Sequence, residues 1–394
     1  MFDKLAPMPA DPILGISLLC KADPNPAKID LGVGIYKDGE GKTPVMRAVK
    51  MAENLWHHEE ASKTYVGVNG NAAFNASMLA MMLGDTPRQE LWATSQGAGG
   101  SGALRLGAEI IKLANADATV WVPTPTWGNH NPLINTAGLE TKPYPYYSKE
   151  TLDVDFEAMC DGLRKDTKPG DIVLLHGCCH NPTGADLEPY QWDVIAELLP
   201  ELGLTAFVDL AYFGMGGGLD ADCYGLRKLA ATQDEMVLAA SCSKNFGLYR
   251  ERTGLVAVKT KTADQAKIAK GQLGLITRRM ISMPPDHGAA LVARILGDDN
   301  LTKIWREELE DMRLRMKSLR SGLASALSVQ GAEDMAEALA RQNGMFSMLP
   351  ITKEQAGKLR SEHSVYLLDS GRLNIAGAST DNIDRLAEAV LAVL

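Results

Sequence analysis

The stretch SCSKNFGLYRERTG, Ser241 to Gly254, is entered from an apolar run, Met236-Val237-Leu238-Ala239-Ala240. That run is short and bounded by polar residues, which marks a buried strand rather than a helix. Lys244 therefore sits just past the end of a buried strand, with hydroxyls at Ser241 and Ser243 and cations at Arg250 and Arg252 close by in sequence. Desolvation and like charge both disfavour a protonated amine, and a neutral amine can attack a carbonyl. On this stretch alone, a lysine in a surface loop is the simpler account, because short motifs match by accident.

The same strand-then-loop pattern recurs outward from it. Asp171-Ile172-Val173-Leu174-Leu175-His176 runs into GCCHNPTGADL, where Pro182 and Gly184 force a turn with Asn181 at its mouth. Thr205-Ala206-Phe207-Val208-Asp209 is a further strand, and Thr119 to Val122 another, ending before Trp127 and His130. Helices are expected near 155–165 and 189–199. The alternation predicts an α/β fold, a mostly parallel sheet with crossover helices. GAGGSGALRLGAEIIKLA, Gly97 to Ala114, runs small residues into a helical pattern, so free N–H groups and the helix dipole form an anion site that Ser101 can strengthen. Gly97, Gly99 and Gly102 match GxGxxG, but a dinucleotide site wants an acid roughly 20 residues on, at the far end of the next strand. Asp117 stands at the wrong end, which favours a single phosphate.

At the N-terminal side, Ile29 to Tyr36 alternates as a strand does and ends in a turn at Lys37-Asp38-Gly39, with a helix over 45–58 to follow. Gly34 there lets a ligand approach the backbone. Apolar residues at 301, 304, 305, 309, 312, 316, 319 and 323 mark a long amphipathic helix. Short strands and helices are expected over 331–394. The organisation read from this is an N-terminal arm over 1–12, a large domain over 44–311, and a smaller domain made of 13–43 and 312–394.

Composition narrows the function. The 394 residues are 45% hydrophobic and 23% charged, with a net charge of −9, which suits a folded protein and argues against general affinity for nucleic acid or anionic membrane. The six cysteines show no CxxC spacing, so neither a disulfide framework nor a metal site is indicated. MFDKLAPMPADPILG lacks the basic start and apolar core of a secretion signal, and no run of about 18 apolar residues offers a membrane span. A cytoplasmic location is expected.

In an open parallel sheet, ligands gather at the carboxyl ends of the strands, where Gly100-Ser101, Trp127, Asn181, Asp209 and Lys244 all fall. Asp209 at the end of an apolar strand wants a cation. A protonated pyridine nitrogen would serve, with Tyr212 and Asn181 bonding a phenolic oxygen and Ser101, Ser241 and Arg252 gripping a phosphate. Trp127 and His130 could stack on a flat ligand, although a tryptophan is more often packed core. An aldehyde within reach of Lys244 completes pyridoxal 5'-phosphate.

Taken in order, LGVGIYKD, KTYVG, GSGALR, TWGNH, HNPTG, VDLAYFG, SCSKNFGLYRERTG, MPPDHGA and SGRLNIAG resemble the aspartate and aromatic amino acid aminotransferases, the class I branch of the fold type I pyridoxal-phosphate enzymes. The likeness runs through nearly the whole chain and is nearest to the bacterial aromatic enzymes. It implies a homodimer with shared active sites. It implies Lys244 as the Schiff-base lysine and proton shuttle, Asp209 as the pyridinium partner supported by His130, and Tyr212 and Asn181 as donors to the ring oxygen. Gly100, Ser101, Ser241 and Arg252 resemble the phosphate cradle, completed by Tyr65 of a neighbouring subunit. Arg372 resembles the clamp on the substrate α-carboxylate, helped by the backbone at Gly34. Arg278 resembles the arginine that reaches across the dimer interface to a distal carboxylate. Taken singly, a surface salt bridge would explain either arginine as well.

Several positions depart from the family pattern. Gly128 stands where proline is usual, and Gly99 and Ser101 replace a serine and a threonine. Ile35, beside Gly34, takes the place of the alanine common in aspartate-selective members, and the HGCCHNPTGADL segment is more like the aromatic enzymes. A larger apolar wall gains about 0.8 kcal/mol per CH₂ buried, which favours a phenyl ring. Ile281 replaces a common tyrosine near Arg278. The activity expected is amino transfer from aromatic amino acids and aspartate to 2-oxoglutarate. The alternatives are an aspartate aminotransferase with little aromatic activity, a lyase or decarboxylase on the same fold, and, from GxGxxG alone, a nicotinamide dehydrogenase.

Overall fold

The structure, a computed structural model, describes residues 2–7, 12–86 and 88–394. Residues 1 and 8–11 of the expected arm lie outside the described residues. Phe2–Lys4 forms a short 3-10 turn, and a helix begins at Pro12.

The centre is a seven-stranded sheet. Its strands are β1 (Trp92–Ala98), β2 (Thr119–Thr124), β3 (Glu140–Pro145), β4 (Ile172–His176), β5 (Thr205–Leu210), β6 (Met236–Ser241) and β7 (Thr253–Lys259). They lie in the order β1-β7-β6-β5-β4-β2-β3. Only β7 runs antiparallel to its neighbours, and the others point the same way. The apolar runs seen in the sequence are buried along their whole length in β4 and β6, as expected when helices cover both faces of a parallel sheet.

Two-residue periodicity divides these side chains between two cores. Val237 and Ala239 pack with Phe207, Leu174 and Val120 beneath the helix Gly99–Ala114. Leu238 and Ala240 pack on the other side with Val208, Val173, Met78 and Trp192. Among the described residues no helix is long and apolar enough to cross a membrane.

The long helix expected around 301–323 spans Asp299–Val329, with Asp298 accepting a hydrogen bond from Leu301 N to cap it. Its buried stripe does more than fill the core. Trp305 stacks on Phe246 at 4.4 Å between ring centroids and donates through Nε1 to Asn245 O at 2.8 Å. The helix thus props the turn that carries Lys244.

The alternating stretch at Ile29 to Tyr36 is not a strand along its length. Only Ile29–Asp30 pairs, parallel to Val365–Tyr366. Leu31 still bonds backbone, its N–H donating to Tyr366 O and its O accepting from Asn374 N, and beyond it the carbonyls are taken by side chains: Gly32 O accepts from Arg372, and Val33 O and Ile35 O accept from Asn374 Nδ2. Side chains that compete for the backbone in this way replace a sheet ladder. Asp38 then accepts from the N–H groups of Glu40 and Lys42, closing the expected turn. The C-terminal strands Phe346–Met348 and Arg372–Asn374 pair antiparallel, and the segment before them docks on the NPTG turn through Asn343 N to Gly184 O at 2.8 Å. Gly184 has φ +72°, and a Cβ there would lie 2.2 Å from Phe346 O, so only glycine permits this contact.

Candidate active site

At the carboxyl ends of the strands is a cavity of about 300 Å³ whose lining includes Gly34, Gly100, Ser101, Trp127, Asn181, Asp209, Tyr212, Ser241, Lys244, Arg252 and Arg372. The five strand-end features separated in sequence therefore meet. Register accounts for this: Asp209 lies opposite His176 on β4 and Ala239 on β6, so the three strands end level with one another.

One end of the cavity is built for an anion. The helix Gly99–Ala114 starts directly from β1, and the residue before it, Ala98 at the N-cap, supplies no side-chain cap. Free N–H groups at such a terminus attract negative charge. Arg252 lies against this turn, donating to Tyr249 O at 3.1 Å and reaching Ala98 O at 3.5 Å. Gly99 has φ +70°, and a Cβ on it would sit 2.5 Å from Arg252 Nη2, so glycine admits the guanidinium. Ser241 is buried beside Gly100. Gly128 needs no such argument, since nothing lies within 4 Å of where its Cβ would be.

The other end is built for a cationic donor. Asp209 is buried and is bonded by His130 Nε2 at 3.1 Å. Burial pushes its carboxyl up, but the His130 bond and nearby positive charge, Lys244 included, pull it below its ordinary value, so it stays an anion. Thr126 Oγ1 lies 2.8 Å from His130 Nδ1 and 3.1 Å from His176 Nε2, which holds both rings. Burial and the neighbouring His130 push His176 down to about 3, so it remains neutral at ordinary pH. Trp127 stands edge-on to His130 with centroids 5.3 Å apart.

Between the two ends lies Lys244. Its Nζ is 4.5 Å from the centroid of the Tyr212 ring, and Asn181 Nδ2 is 3.5 Å from Tyr212 OH. Burial lowers its pKa to about 8; Asp209 opposes the shift and Arg252 adds to it. The neutral amine is the reactive form, so a reaction of ligand-free Lys244 with an amine-directed acylating reagent should quicken with pH and level off above about 8. An ordinary lysine would keep gaining up to about 10.4. Mass-spectrometric modification rates at Lys244 check this, and a rise continuing past pH 10 would place the amine in water.

Arg372 is buried on the far wall. It donates to Gly32 O at 2.8 Å and lies 4.5 Å over the ring of Phe346, while its Nε has no partner among the described residues. Unspent donors on a buried guanidinium suit a carboxylate. Leu104, His176, Tyr249 and Phe346 also line the cavity and were not singled out from sequence. Tyr249 lies within the quoted lysine stretch and Phe346 within 331–394, where only short strands and helices are expected, and nothing in their spacing marks them. Tyr249 OH accepts from Tyr36 N at 2.9 Å, tying the Gly34 loop to the Lys244 segment. Two expected residues are not brought to this cavity by a single chain: Tyr65 is 86% exposed and Arg278 lies exposed in the last turn of the helix Ala263–Ile281.

Residues 26–390 match the family described as aminotransferase class I and II. The aspartate aminotransferase of Escherichia coli (strain K12) is 43% identical over 400 residues, covering all of both chains. The aromatic-amino-acid aminotransferase of Pseudomonas aeruginosa is 42% identical over 396 residues, covering all of this chain and 98% of that one. The crystal structure of the aromatic-amino-acid aminotransferase from Burkholderia pseudomallei, covalently bound to pyridoxal phosphate, superposes with a TM-score of 0.97 at 38% identity over 100% of this chain and 99% of that one. The lysine, the buried aspartate and the anion cradle thus sit in a chain that belongs to the class I and II aminotransferases.

Proposed function

We propose that this aminotransferase, a pyridoxal-phosphate enzyme, moves the amino group of tyrosine, phenylalanine, tryptophan and aspartate to 2-oxoglutarate in two successive half-reactions. The observation that carries the reading is one cavity holding Lys244, Asp209 and Arg372 together. The residues present fit the cofactor: the uncapped helix start with Gly100, Ser101, Ser241 and Arg252 suits its phosphate, and the buried Asp209 anion suits a protonated ring nitrogen. Trp127 suits the ring face, and Tyr212 and Asn181 suit its oxygen. Bound there, pyridoxal phosphate supplies an aldehyde that takes up amines and a cationic ring that draws electrons from the substrate Cα.

The chain does the rest. Arg372 binds the substrate α-carboxylate, with the backbone at Gly34 beside it. Lys244 Nζ, whose pKa of about 8 leaves a working fraction neutral, takes the proton from the substrate Cα in the first half-reaction. It returns one to the Cα of the new amino acid in the second. Asp209 stays ionised throughout, and His130, Thr126 and His176 keep it oriented.

Ile35 beside Gly34 supports acceptance of aromatic side chains, and Arg278 of a second subunit would take a distal carboxylate. The exposed positions of Tyr65 and Arg278 support a homodimer in which each completes the other chain's site. The pairing of Ile29–Asp30 with Val365–Tyr366 supports a smaller domain made of 13–43 and 312–394 beside a large one over 44–311. We place the enzyme in the cytoplasm. The second reading, an aspartate enzyme with little aromatic activity, is favoured by the likeness to the Escherichia coli enzyme.

A half-reaction separates them. Phenylalanine and aspartate are added separately to the holoenzyme without acceptor, and loss of its visible absorbance is followed. Comparable efficiency with both is expected. Conversion by aspartate alone would replace the aromatic reading with the second one.

A further inference from the structure

Arg320, on the long helix Asp299–Val329, is 3% exposed, and its hydrogen bonds go to no carboxylate. Asp186 acts on this buried cation only through space, so its hydrogen-bond contacts matter. They all go to one short segment: Nη1 donates to Ser347 Oγ, and Nη2 to Gly344 O at 2.6 Å and Phe346 O at 3.2 Å. This segment is the strand Phe346–Met348 and the turn before it, and its partner strand carries Arg372, which lies opposite Met348.

Phe346 faces the cavity from that strand. Its ring lies 4.5 Å under the Arg372 guanidinium and edge-on to Tyr212 at 5.7 Å. Its Cζ lies 3.0 Å from where a Cβ on Gly34 would be. One ring therefore touches three groups that surround the substrate, while Arg320 grips the backbone on both sides of it from behind. We propose that Arg320 is a positioning residue for carboxylate recognition: it pins the Phe346 strand, the Phe346 ring sets the pitch of the Arg372 guanidinium, and the affinity for every α-carboxylate follows. A cation–π contact holds the guanidinium only while the ring keeps its place. The inference rests on the reading in which Arg372 takes that carboxylate. Because the substrate side chain plays no part, aromatic and acidic substrates are affected alike.

The test uses the holoenzyme with R320M, R320K and S347A. Steady-state constants are measured with phenylalanine and with aspartate. Binding of the unreactive carboxylates 3-phenylpropionate and succinate is followed by absorbance titration, and thermal unfolding is recorded alongside. A misplacement of about 1 Å in a positioning group costs up to 10²-fold, so R320M should raise both KM values and both dissociation constants by about tenfold while kcat stays within about twofold. R320K, whose single ammonium reaches fewer of the three acceptors, should recover part of the loss. S347A, which removes one acceptor, should raise both KM values by a smaller factor.

Unchanged KM and dissociation constants in R320M would overturn the proposal, as would a loss confined to aspartate or a loss of kcat alone. If R320M does not fold, wild-type constants in both R320K and S347A would overturn it. Should the wild type bind both carboxylates but transfer from neither donor, the substrate reading fails, and Arg320 is then judged by the dissociation constants alone.

Discussion

Replacing Lys244 by alanine is expected to lower amino transfer by about 10⁴-fold or more, the upper range of a positioned general base. Lys244 is the one amine lining the cavity, and burial brings its pKa down to about 8, where a working fraction is neutral. Tyr212, whose ring centroid lies 4.5 Å from Nζ, is itself pushed up by burial and keeps its proton, and the guanidinium of Arg372 offers no neutral base. The same reasoning predicts that Lys244→Arg fails as thoroughly as alanine although it keeps the charge, because a guanidinium offers no neutral amine. Single-turnover rates with phenylalanine and with aspartate measure both variants. Activity within about tenfold of wild type in Lys244→Ala would remove the central assignment, since loss of a positioned general base costs at least about 10²-fold.

The second large effect is expected at Arg372. Truncating one partner of a buried, hydrogen-bonded charge pair costs about 2–5 kcal/mol, and 1.4 kcal/mol is a factor of ten. Arg372→Leu should therefore lower kcat/KM by about 30- to 4,000-fold. The loss should be equal for phenylalanine and aspartate, since both carry the α-carboxylate. Arg372→Lys should recover part of the binding, as a point charge lacking the planar fork. A fall for aspartate alone would assign Arg372 to the distal carboxylate and reverse its proposed role with that of Arg278. Among the described residues Arg372 has a partnerless Nε and a single bond, to Gly32 O, and these make the first outcome the expected one.

These two residues also mark how far the sequence can be read. Lys244, Asn181 and Trp127 each follow, and Asp209 ends, a strand whose apolar run is visible on its own, whereas Ser101 is legible from the small residues that open its helix. Since the strands are parallel and in register, their ends had to meet. Local pattern was sufficient for that part of the site. It was insufficient for 29–36, where alternation suggested a strand along the whole stretch. There Arg372 and Asn374, some 340 positions away, take the carbonyls that a sheet would have used.

The strand order at the two edges, the placing of Phe346 and Tyr249 on the cavity wall, and the Thr126 bridge between His130 and His176 likewise join residues with no shared period. Hydrophobic spacing reports which face of an element is buried, and that is a local property of a chain of fixed geometry. Which residues meet across elements depends on packing and on the satisfaction of buried polar groups, and neither leaves a mark on sequence spacing. Lys244 could thus be read from its own strand. Arg320, whose donors end on Gly344, Phe346 and Ser347, acquires its meaning only once the chain has folded.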